Sequence, residues 1–333
     1  MSYENKSFIQ VKQEAIMNDS ARSGDFAYRI QAEWAKLPDG WSFFEVVDIA
    51  IDVQDNVYVF CRGEHPLIVF DKNGNFMYSW GEGLFKRPHG ITIGADGSLY
   101  LADDWGHVIH KVSHEKEIVF TLGTGQAAPF HGGEPFNLPT KVALEPGTGA
   151  LYVSDGYGNA RIHKYSSSGE RLFSWGRSGS DPGEFSLPHS VCTDKQGRVY
   201  VADRENHRIQ IFDDTGRFIT QWNNMYRPCG LFITPDDPQL AIVSEVPPGM
   251  AFMDGIPNLG ARIVIYNLSG KRLAAFGEAL PGDGMPFQFW APHAVTADSS
   301  GNLYVGEVSY AHFGLASTPP PWTRRCFRKM LRI

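Results

Sequence analysis

The feature that most constrains this chain is one pattern written six times. Pro88-His89-Gly90-Ile91-Thr92-Ile93 leads through Asp96-Gly97 into Leu99-Tyr100-Leu101-Ala102-Asp103. Pro188-His189-Ser190-Val191 leads through Gln196-Gly197 into Val199-Tyr200-Val201-Ala202-Asp203. Pro292-His293-Ala294-Val295 leads through Ser300-Gly301 into Leu303-Tyr304-Val305-Gly306-Glu307, and looser copies start at Val47, Pro139 and Pro228. Each copy reads as a short alternating strand, a polar turn, and a second strand rich in Val, Tyr and Leu. A third strand such as Arg208 to Phe212 follows, then the turn Asp214-Thr215-Gly216 and a fourth strand, Phe218 to Trp222. Four strands in each copy of roughly 40–60 residues is the arithmetic of a propeller blade. The expected fold is therefore all-β, a single six-bladed β-propeller over residues 26–333 behind an N-terminal extension, 1–25. Phe26 to Trp34 reads as a fourth strand with no first three before it. It is expected to join the last blade and close the ring, with the basic tail Arg324 to Arg332 as that blade's third strand. Residues 246–258, with Pro247-Pro248-Gly249, read as an insertion loop over one mouth.

Composition narrows the partners. The 35 glycines and 13% aromatic residues suit short strands and tight turns, and no helical period is sustained. A net charge of -7 argues against a nucleic-acid partner, which is met by a basic face. No apolar run reaches ~18 residues, so no membrane span is expected. The polar N-terminus lacks a signal-peptide core, and the four scattered cysteines form no CxxC pair, so the expected location is cytoplasmic. Nothing in the sequence speaks to oligomeric state.

First strands line the channel of a propeller, so equivalent positions form a ring around its axis. That ring reads Val47, His89, Thr140, His189, Cys229, His293, with histidine in every second blade. Positions two blades apart are about 120° apart in a six-bladed ring, so three imidazoles converge on the axis. Three histidines with an open fourth position suit zinc, one per chain, though the same nitrogens also accept cobalt, nickel or iron. Cys229 breaks the alternation and reads as a packed thiol. His107 and His110 are read as three apart on a strand, facing opposite sides.

At the ends of the second strands a further ring reads Cys61, Asp103, Asp155, Asp203, Glu245, Glu307, expected to bind backbone N–H groups or neighbouring arginines. The next position reads Arg62, Asp104, Gly156, Arg204, Val246, Val308. Arg62 and Arg204 fall on opposite blades, where they either hold a small-molecule substrate by its carboxylate or bridge blades. Tyr157 follows Gly156 and can reach the same cavity; its position alone assigns it no role.

Val201-Ala202-Asp203-Arg204-Glu205-Asn206-His207-Arg208-Ile209 resembles the repeat of NHL proteins. A narrower likeness runs through Cys61-Arg62-Gly63-Glu64-His65, Arg87-Pro88-His89-Gly90, Val153-Ser154-Asp155-Gly156-Tyr157-Gly158-Asn159 and Phe185-Ser186-Leu187-Pro188-His189-Ser190. These stretches resemble the peptidyl-α-hydroxyglycine α-amidating lyases. The resemblance implies an axial zinc on His89, His189 and His293, with Arg62 and Arg204 as active-site, substrate-binding arginines and Tyr157 as the catalytic tyrosine. It implies a carbon–nitrogen lyase that splits an N-acylated α-hydroxyglycine into an amide and glyoxylate. In that scheme Tyr157 is a general base whose pKa is lowered by zinc and guanidinium charge. The alternatives are a ureidoglycolate-type lyase, a zinc-dependent lactone or ester hydrolase, and a non-catalytic NHL scaffold. Two departures bear on cofactor and setting. The family's structural calcium uses a carboxylate after the third histidine, where Ala294 stands, so Ca²⁺ is not expected even with carbonyls near Ile49 and Ile91. Gly158 replaces a cysteine found in secreted members, which points to an intracellular relative.

Overall fold

In the computed structural model, residues 19–253, 255–313 and 325–333 are described, and they form six antiparallel sheets arranged as six blades. Five sheets have four strands and the sixth has five. The first strands are Val46–Ile51, Pro88–Ile93, Pro139–Leu144, Pro188–Thr193, Pro228–Ile233 and Pro292–Ala297. Each packs on the first strand of the next blade, and the sixth packs on the first, so the ring is closed. Among the described residues the one α-helix is the short Ser309–Phe313, and no helix is long and apolar enough to cross a membrane.

The closure follows the reading of the orphan strand. Phe26–Gln31 pairs with Phe327–Arg332, the third strand of the last blade, with Ile30 opposite Met330. Beyond it Ser20–Ser23 adds a fifth strand, inside the segment read as an extension. Residues 1–18 of that extension lie outside the described residues. In blade five the segment between Leu240–Glu245 and Arg262–Asn267 forms a loop with one 3₁₀ turn, Ala251–Met253.

The core lies between blades rather than in one centre. Blades two and three, for instance, share Ile109, Leu122, Phe136, Leu151 and Val153. Burying a large apolar side chain such as Phe136 contributes about 1.5–3 kcal/mol, and every blade interface repeats the gain. The tyrosine of the second strand places its ring in this core and its hydroxyl on the turn acid: Tyr200 on Asp194 and Tyr304 on Asp298, both at 3.0 Å.

A register detail positions the site. Pro88 pairs with Asp103 and Gly90 with Ala102, leaving His89 as the extra residue of a β-bulge. The same shift brackets Val47, Thr140, His189 and His293, and in blade five it brackets Cys229 and Gly230. A bulge bends the strand and re-aims one side chain, which here turns each ring residue out of the ladder. Gly90 is required beside it, since a Cβ there would lie 2.3 Å from Thr140 O of the next blade.

Candidate metal centre and active site

His89, His189 and His293 are buried and converge on the axis, with one ligand atom from each within 4.8 Å of the others. Their ring centroids are 4.6–5.0 Å apart. Each Nδ1 lies on a backbone carbonyl of the following blade: His89 on Thr140 O at 2.9 Å, His189 on Cys229 O at 3.0 Å, His293 on Val47 O at 2.6 Å. A carbonyl only accepts, so each Nδ1 carries the proton and each Nε2 presents a lone pair. This explains the alternation in the ring: odd blades supply carbonyls, and even blades supply the histidines they orient. Burial first, then neighbouring positive charge, pushes all three imidazoles well below their ordinary pKa, so they stay neutral. Neutral imidazoles with oriented second nitrogens are the donor set of a divalent transition metal. A cavity of about 20 Å³, lined by the triad with Asp48 and Lys141, has room for one small occupant.

Tyr157 reaches the triad from blade three. Its hydroxyl lies 2.9 Å from His189 Nε2 and 3.1 Å from His89 Nε2, so one O–H is shared between two acceptors. In the chain alone, burial raises its pKa, with Arg204 and Arg62 pulling it down. The lowering expected from zinc and guanidinium together is thus not supplied by the guanidiniums. Arg204 holds its guanidinium carbon 5.5 Å from the Tyr157 ring centre. Cys229 Sγ packs against the His189 ring, 3.4 Å from Nδ1 and 3.6 Å from Nε2, and burial pushes its thiol up to about 11.

Both arginines of the second-strand ring carry carboxylate partners. Arg62 Nη1 bonds Glu45 Oε2 at 3.0 Å, and its Nε donates to Pro88 O at 3.4 Å, next to His89. Arg204 Nε bonds Glu205 Oε1 at 2.8 Å, and Glu205 also receives two bonds from Arg227, at 2.7 and 3.0 Å. Burial works against ionising Glu205, but Arg227 and Arg204 outweigh it and hold the carboxyl at about 2. Asp104 is paired with both arms of Arg87, at 2.7 and 2.6 Å, and Arg87 stacks over Trp105 at 4.4 Å. Four guanidiniums therefore face three carboxylates, and the unmatched positive charge lies where Arg204 and Arg227 share Glu205. The five carboxylates at the ends of the second strands take structural partners: Asp103 accepts Arg87 N–H, Asp155 accepts Asn137 N–H, Asp203 binds Arg208, Glu245 binds Arg262 and Glu307 binds Arg328.

Arg87, Arg227 and Glu45 carry no role in the sequence reading. They occupy one repeat phase, the residue two before each ring position, so scanning that column (Glu45, Arg87, Leu138, Leu187, Arg227, Ala291) was the available signal. His107 is not on a strand with His110; it sits in a left-handed turn at φ 53° and accepts Leu138 N–H at 3.2 Å. A cavity of about 560 Å³ opens beside Tyr157, lined by Ser178, Ser180, Ser186, Glu205 and Asn206.

Calcium does not fit these residues. Ala294 offers no oxygen ligand from its side chain, and Asp48, the acid that lines the cavity with the triad, is taken by Lys141 and by Ile91 N–H. A hard cation needs carboxylate oxygens free to bind it.

Fold and site together define a six-bladed propeller with an axial three-histidine centre. The NHL repeat model matches residues 185–212, the body of blade four. NHL repeat-containing protein 3 of Homo sapiens is 34% identical, over 67% of this chain and 68% of that protein. The chain belongs to the NHL-repeat family of six-bladed propellers and resembles the amidating lyases among them. Peptidyl-alpha-hydroxyglycine alpha-amidating lyase 1 of Drosophila melanogaster is 31% identical over 71% of this chain and 45% of that protein. Peptidylglycine alpha-amidating monooxygenase of Rattus norvegicus is 30% identical over 86% of this chain. The chain spans about a third of the length of the monooxygenases it matches, 31% in the rat protein. Virginiamycin B lyase of Staphylococcus aureus shares the fold, with a TM-score of 0.57 at 15% identity over 84% of this chain and 82% of that one.

Proposed function

We propose that the protein is a zinc-dependent carbon–nitrogen lyase that converts an N-acylated α-hydroxyglycine to an amide and glyoxylate. The observation that carries this reading is the Tyr157 hydroxyl, within hydrogen-bond reach of two of the three axial imidazoles. A scaffold has no use for a buried phenol on a cluster of neutral histidines, and the amidating-lyase relatives point the same way.

Arg204 and Arg62 hold the substrate carboxylate, with Arg204 the stronger anchor because Glu205 is shared. Zinc held by the three Nε2 atoms would supply Lewis-acid polarisation of the substrate hydroxyl. Tyr157 takes the hydroxyl proton as general base; burial raises its pKa in the chain alone, so its ionisation would draw on the positive charge of a bound metal beside the guanidiniums. The O–H electron pair becomes the second bond of the glyoxylate carbonyl, the C–N pair leaves with the amide nitrogen, and that nitrogen takes the proton back from Tyr157. The proton has moved from oxygen to nitrogen and no water is consumed. The acyl group extends into the cavity beside Tyr157, whose lining mixes Ser178, Ser180 and Asn206 with Phe185 and Leu187.

The test is glyoxylate release from a panel of N-acyl α-hydroxyglycines, ureidoglycolate included, with chelator and with zinc restored. Release that chelator abolishes and zinc restores is expected; no glyoxylate from any member of the panel overturns the reading.

A further inference from the structure

An ion pair crosses the channel next to the triad. Lys141, on the first strand of blade three, reaches past blade two to put its ammonium on Asp48 Oδ2 of blade one. The same oxygen accepts Ile91 N–H of blade two at 2.8 Å, and Oδ1 accepts Ile49 N–H at 3.0 Å. One carboxylate thus ties the first strands of three consecutive blades. The side chains are 8% and 17% exposed, so the pair works largely out of water.

Its place in the sequence matters as much as its contacts. Asp48 follows Val47, whose carbonyl holds His293, and Lys141 follows Thr140, whose carbonyl holds His89. The pair is therefore anchored one peptide away from two of the three carbonyls that orient the triad. The third carbonyl, Cys229 O, is followed by Gly230, whose N–H goes to Ser244 Oγ at 2.8 Å, and it takes no part. A largely buried ion pair is a weak source of net stability, and its best-attested use is to fix register. Gly90 shows how tight the register is here, since its backbone rests directly on Thr140 and Lys141.

We propose that Lys141 and Asp48 are positioning residues for the histidine triad. The tethered ammonium holds three strands in register as a bridging cation would, and so fixes the Nδ1–H tautomers of His89 and His293. The channel then needs no second metal, because Asp48, among the described residues the one carboxylate lining the cavity with the triad, is already occupied. This inference rests on the triad being a metal centre, but not on the reaction assigned to it.

The test uses the full chain, metal-free and labelled with ¹⁵N-histidine, so that it reads the rings whatever the metal content or activity. The variant is the neutral pair Lys141→Met/Asp48→Asn, which leaves no unpaired charge and keeps an acceptor for Ile91 N–H. In the wild type all three rings show the Nδ1–H tautomer. In the variant His89 and His293 move toward averaged tautomers while His189 does not, and zinc affinity falls by ~10–100-fold, the usual effect of losing an outer-shell support. Lys141→Arg, which keeps the charge, retains both wild-type readouts. Unchanged tautomers, or an equal change in all three histidines, overturns the proposal. So does a wild-type melting temperature that rises with calcium and loses that response in Asp48→Asn.

Discussion

The hydroxyl of Tyr157 lies 2.9 Å from Nε2 of His189, and the backbone that brings it there rests on the residue before that histidine. A Cβ on Gly156 would fall 2.2 Å from Pro188 O, so only glycine lets blade three approach blade four this closely. Gly156→Ala is expected to displace Tyr157 and lower kcat by at least tenfold while leaving zinc stoichiometry intact. Metal analysis beside steady-state glyoxylate release checks both halves.

Tyr157→Phe removes the hydroxyl and keeps the ring. Losing a positioned base costs ~10²–10⁴ in rate, so kcat should fall by that order with zinc retained. Single-turnover measurement on zinc-loaded variant is the check, and near-normal kcat would remove Tyr157 from the mechanism.

Arg204→Ala and Arg62→Ala are expected to differ. A hydrogen bond to a charged group is worth about 1.5–3 kcal/mol, or roughly 10–150-fold in binding. Arg204 shares its carboxylate partner with a second guanidinium and Arg62 does not, so the larger rise in KM belongs to Arg204→Ala. Equal effects would show that the unmatched charge does not choose the anchor.

Glu205 sets an acid limit. Its folded pKa is about 2 against an ordinary 4.5, so above 4.5 both folded and unfolded chains carry the carboxylate and its stabilisation is complete. Between 4.5 and 2 the unfolded chain binds the proton more readily, and stability falls as pH falls. Glu205→Gln should lose stability less steeply over that window in urea melts, and should lower KM for the substrate carboxylate by freeing Arg204.

Ring closure is testable at one side chain. Ile30 pairs with Met330 and packs among Ile263, Phe276 and Val305. Ile30→Ala should cost ~2–5 kcal/mol, the range for emptying a buried aliphatic site. Urea unfolding measures it, and a loss below 1 kcal/mol would mean that the strand is an ornament to the last blade.

How much of this was legible depended on whether a residue repeats. The six blades, the closing strand and the triad all follow from phase, because a bulge at a fixed place in each copy aims one side chain at the axis. Ser20–Ser23 escaped because a short polar edge strand has no apolar alternation to show. Arg87 and Arg227 share one repeat phase with Glu45, where charge appears in three of six copies with mixed sign and so makes no regular pattern. Lys141 and Asp48 left no periodic trace at all: each occurs once, and their meeting depends on the reach of a lysine across a blade. The pairing of Arg62 with Glu45 was equally hidden, since 17 residues of chain separate partners that curvature brings together.

The carbonyls of Val47, Thr140 and Cys229 have an evolutionary consequence. They set the histidine tautomers through the main chain, while their own side chains answer to packing: all three are buried, and Thr140 Oγ1 bonds Ser154 Oγ and Pro188 O. A deep mutational scan would read only that packing at these three positions, and a lineage could exchange them for buried side chains of similar volume without losing the acceptors. Amide-to-ester replacement at the following residue, which weakens the carbonyl as an acceptor, would expose what selection on side chains cannot see: half of this ring is inherited as geometry and half as chemistry.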